Sequence, residues 1–238
     1  MGLSCIVPAR NEEGNITEIL SEILSIEIIS DIIIVEGGST DKTYILSLGI
    51  VQNYPSKVRL VKQLGSGKFD AVCRGAQFAR EKFLIIWDAD GTVPLCCTTR
   101  LIERHQLNGN PIIGNRLAGK MEKGAMQFFN FIGNWLFAFA WAPILHSKPV
   151  DMLCGTKIVH THIFSSIPFW LKKIDTWGDF ALIAITRAQG HTVDSIWVDY
   201  NRRKSGYSNM KRWSSGMRLL FETVGIYFWL AYIRLINE

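Results

Sequence analysis

The apolar positions of this chain fall into short strand-length runs separated by stretches of helical spacing. Residues 3–7 form the first such run, and Pro8-Ala-Arg-Asn-Glu-Glu-Gly14 after it reads as a turn. Ile16, Ile19, Leu20, Ile23 and Leu24 then recur three and four apart, as on one helix face. Residues 32–35 are a second apolar run. It ends in Glu36-Gly-Gly-Ser-Thr-Asp41, where two glycines permit a tight turn and Thr40 or Asp41 can cap the following helix. Residues 58–61 predict a third strand, residues 68–80 a helix with Ala71, Gly75, Ala76 and Ala79 on it, and residues 83–87 a fourth strand. Four strand–helix units before residue 105 predict a parallel sheet.

The fourth run, Phe83-Leu-Ile-Ile-Trp87, is bounded by Gly91 and Pro94 and reads as a central buried strand. Asp88 and Asp90 stand at its carboxyl end, where open α/β sheets place their ligands. Two carboxylates in one cleft repel unless one takes a proton or a counter-charge arrives. Mg²⁺ or Mn²⁺ resolves that conflict, because such ions take one or two carboxylates together with the oxygens of a substrate diphosphate. The plain alternative is a turn in which one Asp caps the helix after Pro94. Two nucleotide motifs are excluded. Gly65-Ser-Gly-Lys68 lacks both the first glycine of a P-loop, which would fall on Lys62, and its Ser/Thr, which is Phe69. The dinucleotide fingerprint fails because Asp70 stands where its third glycine belongs.

At 238 residues and 48% apolar content the chain can bury one substantial core, as expected of a single α/β domain. Because residues 3–7 already read as a strand, no leader peptide is expected, and Ile6 stands where a myristoylation signal wants Ser or Thr. Five cysteines without a Cys-x-x-Cys pair read as reduced thiols of a cytoplasmic protein. The net charge of +5 is uneven. From Tyr200 onward Arg202, Arg203, Lys204, Lys211, Arg212, Arg218 and Arg234 face only Glu222 and Glu238, so this end should prefer an anionic partner.

The strand-end turns, taken together, carry a resemblance. Ile6-Val-Pro8-Ala-Arg-Asn11-Glu12-Glu13, Ile34-Val-Glu36-Gly-Gly-Ser39-Thr-Asp41, Gly67-Lys68 with Ala71 and Gly75, and Asp88-Ala-Asp90-Gly91 resemble glycosyltransferase family 2. The likeness continues through Gly114-Asn-Arg116, Met121-Glu-Lys, Leu153-Cys-Gly155-Thr-Lys157, Trp177-Gly-Asp179-Phe180 and Arg203-x-x-Gly206-x-Ser208-Asn209-Met210-x-Arg212. That last pattern is similar to the subgroup of polyprenyl-phosphate (dolichyl-phosphate) mannose synthases. The resemblance implies a GT-A fold: a Rossmann-like, mostly parallel central sheet flanked by helices, here with a C-terminal amphipathic helix. It implies one domain with a nucleotide-sugar-binding half (1–116), an acceptor half (117–210) and a basic helix (211–238).

The resemblance also implies roles. Pro8, Arg10 and Glu12 line the nucleoside pocket, Glu36 faces the base or ribose, Lys68 approaches the nucleotide, and Asp88 and Asp90 hold Mg²⁺ or Mn²⁺ on the diphosphate. The family usually has two acidic residues where this chain has Glu36-Gly37, which leaves the nucleotide base open. The implied activity is an inverting, metal-dependent transfer of a hexose from a nucleotide diphosphate sugar to a polyprenyl phosphate or other membrane-associated acceptor. If the acceptor is a hydroxyl, Asp179 is the candidate base, with a helix-start role as its alternative. If it is a lipid phosphate no base is needed, and Arg116, Arg203 and Arg212 matter more, because arginine forks match phosphate oxygens. Expected partners are the donor, the lipid phosphate or membrane surface and a second subunit, not a nucleic acid. A sugar-nucleotide nucleotidyltransferase would need a glycine-rich loop where Pro8-Ala-Arg-Asn-Glu-Glu stands. A non-catalytic module of the same fold is the other alternative.

Two apolar stretches raise the question of a membrane. Residues 128–145 are mostly aromatic and aliphatic but short for a span, marked by Gln127, Asn130 and Asn134, and interrupted by Pro143. They are expected to be buried or interfacial. Residues 219–236, with Tyr227, Trp229 and Tyr232 inside and basic residues before them, suit a helix lying on the cytoplasmic face of a membrane, or packed on the core or a second subunit. His160-x-His162 with Cys154 lacks a fourth ligand at regular spacing, and no metal site is expected there.

Overall fold

The computed structural model describes residues 2–204 and 212–237. Its elements are β1 (Leu3–Ala9), α1 (Ile16–Leu24), β2 (Ile29–Glu36), α2 (Thr43–Asn53), β3 (Val58–Lys62), α3 (Lys68–Ala76), β4 (Phe83–Ile86), α4 (Leu95–Asn108), β5 (Ile112–Asn115), α5 (Phe128–Leu145), β6 (Lys157–His160), a 3-10 turn (Thr161–Ser166), α6 (Phe169–Ile174), α7 (Asp179–Ala188), β7 (Asp194–Trp197) and α8 (Arg212–Asn237). Seven strands form one sheet in the order β3-β2-β1-β4-β6-β5-β7. β3, β2, β1 and β4 run parallel, β6 is inserted antiparallel between β4 and β5, and β7 is parallel to β5.

Strand alternation divides the core into two layers. Ile6, Ile33, Val35, Leu84 and Ile86 face one side with Phe69 and Val72 of α3, Trp141 of α5, Phe180 to Ile185 of α7, and Leu219 and Ile226 of α8. Cys5, Val7, Ile32, Ile34 and Ile85 face the other with Ile16, Leu20 and Ile23 of α1 and Leu101 and Ile102 of α4. A sheet covered on both faces needs apolar residues at successive positions, which is why these strands read as continuous runs. At Gly75 a Cβ would lie 2.7 Å from Ile6 Cγ2, so glycine there lets α3 settle onto the sheet.

The sequence pattern sets β2 too short and α3 too long, for one reason. Buried Asp31, on β2, accepts from Ser4 Oγ (2.9 Å), from the Arg80 N–H (3.1 Å) and from Arg59. Arg59 also donates to the Phe78 carbonyl. That polar node takes groups which would otherwise extend α3, and so ends the helix at Ala76. Strands β5 to β7 are four residues each and carry little periodic signal.

α5 is long and apolar enough to cross a membrane by length and composition, and 28% of it is buried. Its inner residues, Asn134, Ala138 and Trp141, face the protein, while Phe128, Phe129, Leu136 and Phe139 are exposed. α8 packs on α7 with Leu219 and Ile226 buried, and it meets α5 where Trp141 Nε1 donates to Thr223 Oγ1 (3.3 Å) and Tyr227 Oη donates to the Ala140 carbonyl. The outward face of α8 bears Phe221, Val224, Phe228, Tyr232 and Leu235, and Phe169 of α6 is exposed as well.

Candidate active site

The carboxyl ends of the parallel strands converge on one rim. Pro8 lies next to the last residue of β1, and Arg10, just past the strand, is exposed. Asn11 adopts φ +57°, a conformation Asn tolerates well, and its Oδ1 accepts from the Thr40 N–H (2.8 Å). The Glu12 N–H donates to Thr43 Oγ1 (2.7 Å) and the Glu13 N–H to Asp41 Oδ2 (3.1 Å). These cross-bonds make the loops after β1 and β2 one unit. Asp41 also accepts from the Thr43 N–H (2.9 Å), but the N-cap position of α2 is Lys42, so neither Thr40 nor Asp41 takes the expected capping place. Glu36 ends β2, buried. Burial opposes its charge, yet the Ser39 and Gly38 N–H groups, the Ser39 hydroxyl and Lys62 hold its carboxyl below the usual range. Glu12 goes the other way: burial raises it against a hydrogen bond from Asn15 (2.7 Å), and Asp90 and Asp88 add to the rise.

Asp88 and Asp90 leave the end of β4, and each is met by a cation. Lys68, the first residue of α3, pairs with Asp88. Arg203 Nη2 lies 2.7 Å from Asp90 Oδ2. Asp90 Oδ1 accepts the Thr92 N–H (3.1 Å) and hydroxyl (2.9 Å), which fixes the turn. Asp90 therefore closes its own turn without capping α4, which begins at Leu95 after Pro94. Burial would raise the Asp88 carboxyl, but Lys68 foremost, with Lys157 and Arg116, brings it below its ordinary value. For Lys68 burial likewise works against the charge and is outweighed by Asp88, Asp179 and Asp90. Gly155 presses its backbone on this pair: a Cβ there would overlap both Asp88 Oδ2 and Lys68 Nζ.

Asp179 opens α7 and is buried. It does not cap the helix. Its Oδ1 lies 2.6 Å from Nζ of Lys157, the first residue of β6, itself 1% exposed. The capping acceptor is Asp175, whose Oδ1 takes the Gly178 N–H (2.7 Å) and Trp177 N–H (3.1 Å) and whose Oδ2 takes the Ala181 N–H (2.9 Å). Burial raises the Asp175 carboxyl to about 6 against those bonds, with Asp179 adding to the rise. Lys157 and Asp175 carry no role in the sequence reading. A lysine opening an apolar strand, and an aspartate three residues before a helix-start glycine, are the signals that were there.

Arg116 is not left with a free fork. Its Nε and Nη2 pair with buried Asp151 (2.5 and 3.1 Å), and its guanidinium lies over the Tyr200 ring (4.8 Å). Its fork is thus taken by Asp151, while its charge still acts on Asp88. The side chain of Arg212, like residues 205–211, lies outside the described residues. Among the described residues no set of three His, Cys, Asp or Glu side chains is grouped so as to hold a metal ion. A site of two carboxylates open to a substrate's phosphate oxygens still fits Mg²⁺ or Mn²⁺, which complete their shell with such oxygens and water.

The family model of glycosyl transferase family 2 matches residues 4–167. Glycosyltransferase AglJ of Haloferax volcanii is 29% identical over 153 residues, covering 63% of this chain and 48% of its own length. The dolichyl-phosphate beta-glucosyltransferase ALG5A of Trichomonas vaginalis is 31% identical over 216 residues, covering 84% of this chain and 65% of its own. The chain thus spans about half to two thirds of the length of these relatives. Among solved structures, glucosyl-3-phosphoglycerate synthase from Mycobacterium tuberculosis with uridine diphosphate superposes with a TM-score of 0.72 at 16% identity, over 94% of this chain and 79% of that one. The same enzyme with Mn²⁺, uridine diphosphate and glucosyl-3-phosphoglycerate gives 0.68 at 17% identity, over 94% and 78%.

Proposed function

Because this chain belongs to glycosyl transferase family 2 and is a glycosyltransferase of GT-A fold, we propose that it moves a hexose from a nucleotide diphosphate sugar to a polyprenyl phosphate at a membrane surface, with inversion at the anomeric carbon. The observation that carries the reading is the pair Asp88 and Asp90 at the end of β4, each matched by a cation from another element. A divalent cation on these carboxylates would supply Lewis-acid stabilisation of the departing diphosphate. Lys68 and Arg203 already stand at the same carboxylates and are free to turn to phosphate oxygens when the carboxylates change partner. Glu12, Glu36 and the cross-bonded rim bound the nucleoside side, with Pro8 and Arg10 beside them.

The acceptor side favours a phosphate over a hydroxyl. Asp179 is engaged by buried Lys157, which suits it to orient groups more than to collect a proton. A phosphate monoester is an anionic nucleophile at neutral pH and asks for no base. The dolichyl-phosphate relative and the outer face of α5, α6 and α8 support a lipid acceptor. That face carries exposed Phe128, Phe139, Phe169, Phe221 and Phe228 beside Lys172 and Lys173, the pairing of aromatic and basic side chains that suits an anionic bilayer interface.

A thermal-shift screen against UDP, GDP, CDP, TDP and ADP with and without Mn²⁺ tests the donor site. A ligand at a hundredfold excess over its Kd stabilises by about 2.7 kcal/mol. One nucleotide giving a metal-dependent shift that Asp90→Asn abolishes supports the reading; no shift with any nucleotide would sink it.

A further inference from the structure

Two of the contacts that α8 makes with the rest of the protein lead to Asp179. The first is polar. Arg218 Nε donates to the Ile174 carbonyl (2.8 Å) and to Glu222 Oε1 (3.2 Å), and its Nη2 donates to the Lys173 carbonyl (3.2 Å). These carbonyls end α6 immediately before Asp175, whose carboxylate holds the N–H groups of Trp177, Gly178 and Ala181. The second is apolar. Thr223, next to Glu222, accepts from Trp141, and the Trp141 ring stacks on Phe180 at 5.0 Å, one residue after Asp179.

The turn between Asp175 and Asp179 is itself fitted to α3. The Thr176 carbonyl accepts the Phe69 N–H (2.9 Å), and Gly178 at φ +78° leaves room for the Phe69 ring, which a Cβ would overlap. This seam brings Lys68, at the start of α3, within electrostatic range of Asp179, at the start of α7.

Glu222 is 1% exposed; its Oε1 accepts from Arg218 while its Oε2 has no hydrogen-bond partner among the described residues, and burial followed by the neighbouring Asp175 raises its carboxyl to about 8. A buried carboxyl left half-satisfied destabilises a fold, and a leucine at an inward position of an apolar helix would cost less. The groups facing it are Asp175, Asp179 and Arg218.

We infer that Arg218 and Glu222 are positioning residues for the acceptor side of the active site, clamping α8 to the Asp175 turn and so fixing where Asp179 stands relative to Lys68 and Lys157. The helix that presents the apolar outer face is then also a wall support of the reaction centre, and a loosened α8 misplaces Asp179 without touching the donor pocket. The inference deepens the reading of this chain as a transferase to a lipid phosphate.

The test compares Arg218→Met, Glu222→Leu and Glu222→Gln in the full chain. Hydrogen–deuterium exchange of residues 174–182 should quicken by roughly fivefold in Arg218→Met and Glu222→Leu with β1 to β4 unchanged, since a local opening is released while the core is kept. In transfer assays with a polyprenyl phosphate, both should lose roughly tenfold in kcat/KM through acceptor KM or kcat, with donor KM unchanged, and Glu222→Gln should stay near wild type. Unchanged exchange in residues 174–182, or losses that follow the folded fraction alone, would overturn the clamp. A wild-type protein that transfers nothing would count against the proposed function, and the exchange measurement would still decide the clamp.

Discussion

Arg203 reaches Asp90 from far along the chain, its Nη2 2.7 Å from Asp90 Oδ2, and so brings a cation onto the end of β4. The Asp90 carboxylate, which in the proposed reaction would take a divalent cation, is thereby charge-compensated by the chain's own arginine. Removing the arginine should free it. Arg203→Met is expected to bind Mn²⁺ more tightly without nucleotide, by roughly tenfold, and to transfer sugar more slowly by a similar factor, because a charge-assisted contact to the diphosphate goes with it. Calorimetric Mn²⁺ titration and initial rates check the two halves, and Mn²⁺ affinity equal to wild type would remove Arg203 from this role.

Asp88→Asn and Asp90→Asn should each lower transfer by at least roughly a hundredfold, and chelation of divalent cations should do the same to wild type. The two variants need not be equal in stability. Asp88→Asn leaves Lys68 without its partner in a half-buried place, whereas Asp90→Asn also disturbs the bonds that shape the turn to Thr92. Transfer that survives either substitution would show that the reaction does not pass through this pair.

Gly155 gives a steric prediction. In Gly155→Ala the new methyl enters the space held by Asp88 Oδ2 and Lys68 Nζ, so one of them must move. The backbone of the loop before β6 is otherwise compatible with alanine, and the cost should fall on the site. Transfer should drop roughly tenfold while the midpoint of thermal unfolding changes by only a few degrees. A variant as active as wild type would mean that the ion pair relocates without consequence.

How much of this was legible beforehand divides along the range of the interactions. The place of Asp88 and Asp90 at the end of β4 could be read because its signal is local: an apolar run, then two carboxylates, then Gly91 and Pro94. The first four strands were legible for the same reason, since a strand covered on both faces shows as an unbroken apolar run. β6 was not, because Lys157 opens it and its antiparallel place between β4 and β5 depends on partners far away in sequence. Asp175 and Asp151 were missed because a buried acid is identified by what it meets, three backbone N–H groups in one case and the fork of Arg116 in the other. The character of α5 was half legible. Its composition showed an apolar helix, and only the packing of Trp141 and Asn134 inward shows that Phe128, Phe129 and Phe139 look outward.

The apolar outer face predicts lipid binding that point substitutions can isolate. Ending the chain before α8 would strip Leu219 and Ile226 from the core and confuse the result. Phe221→Ser with Phe228→Ser alters exposed side chains alone. Flotation with anionic vesicles should fall in the double variant, and more steeply at high salt as the basic residues are screened. Equal flotation of both proteins would place the lipid contact elsewhere or deny it.

The acidic pair behind α7 makes stability depend on pH in a definite direction. Burial raises Asp175 to about 6 from an ordinary 3.8, and Glu222 to about 8 from an ordinary 4.5. A raised acid holds its proton in the folded chain over a range where the unfolded chain has lost it. The stabilisation is therefore complete below pH 4 and is lost as pH rises, through about 6 for Asp175 and about 8 for Glu222, at up to about 1.4 kcal/mol per pH unit for each group. Glutamine cannot ionise but resembles the protonated acid. Glu222→Gln should therefore match wild type near pH 5 and unfold at a higher temperature than wild type near pH 8.5, with Arg218, Asp175 and Asp179 as the charges that face it. Melting curves of the two proteins across that range decide it. A difference between them that stays constant with pH would mean that Glu222 is already ionised in the folded chain, and that Arg218 outweighs burial there.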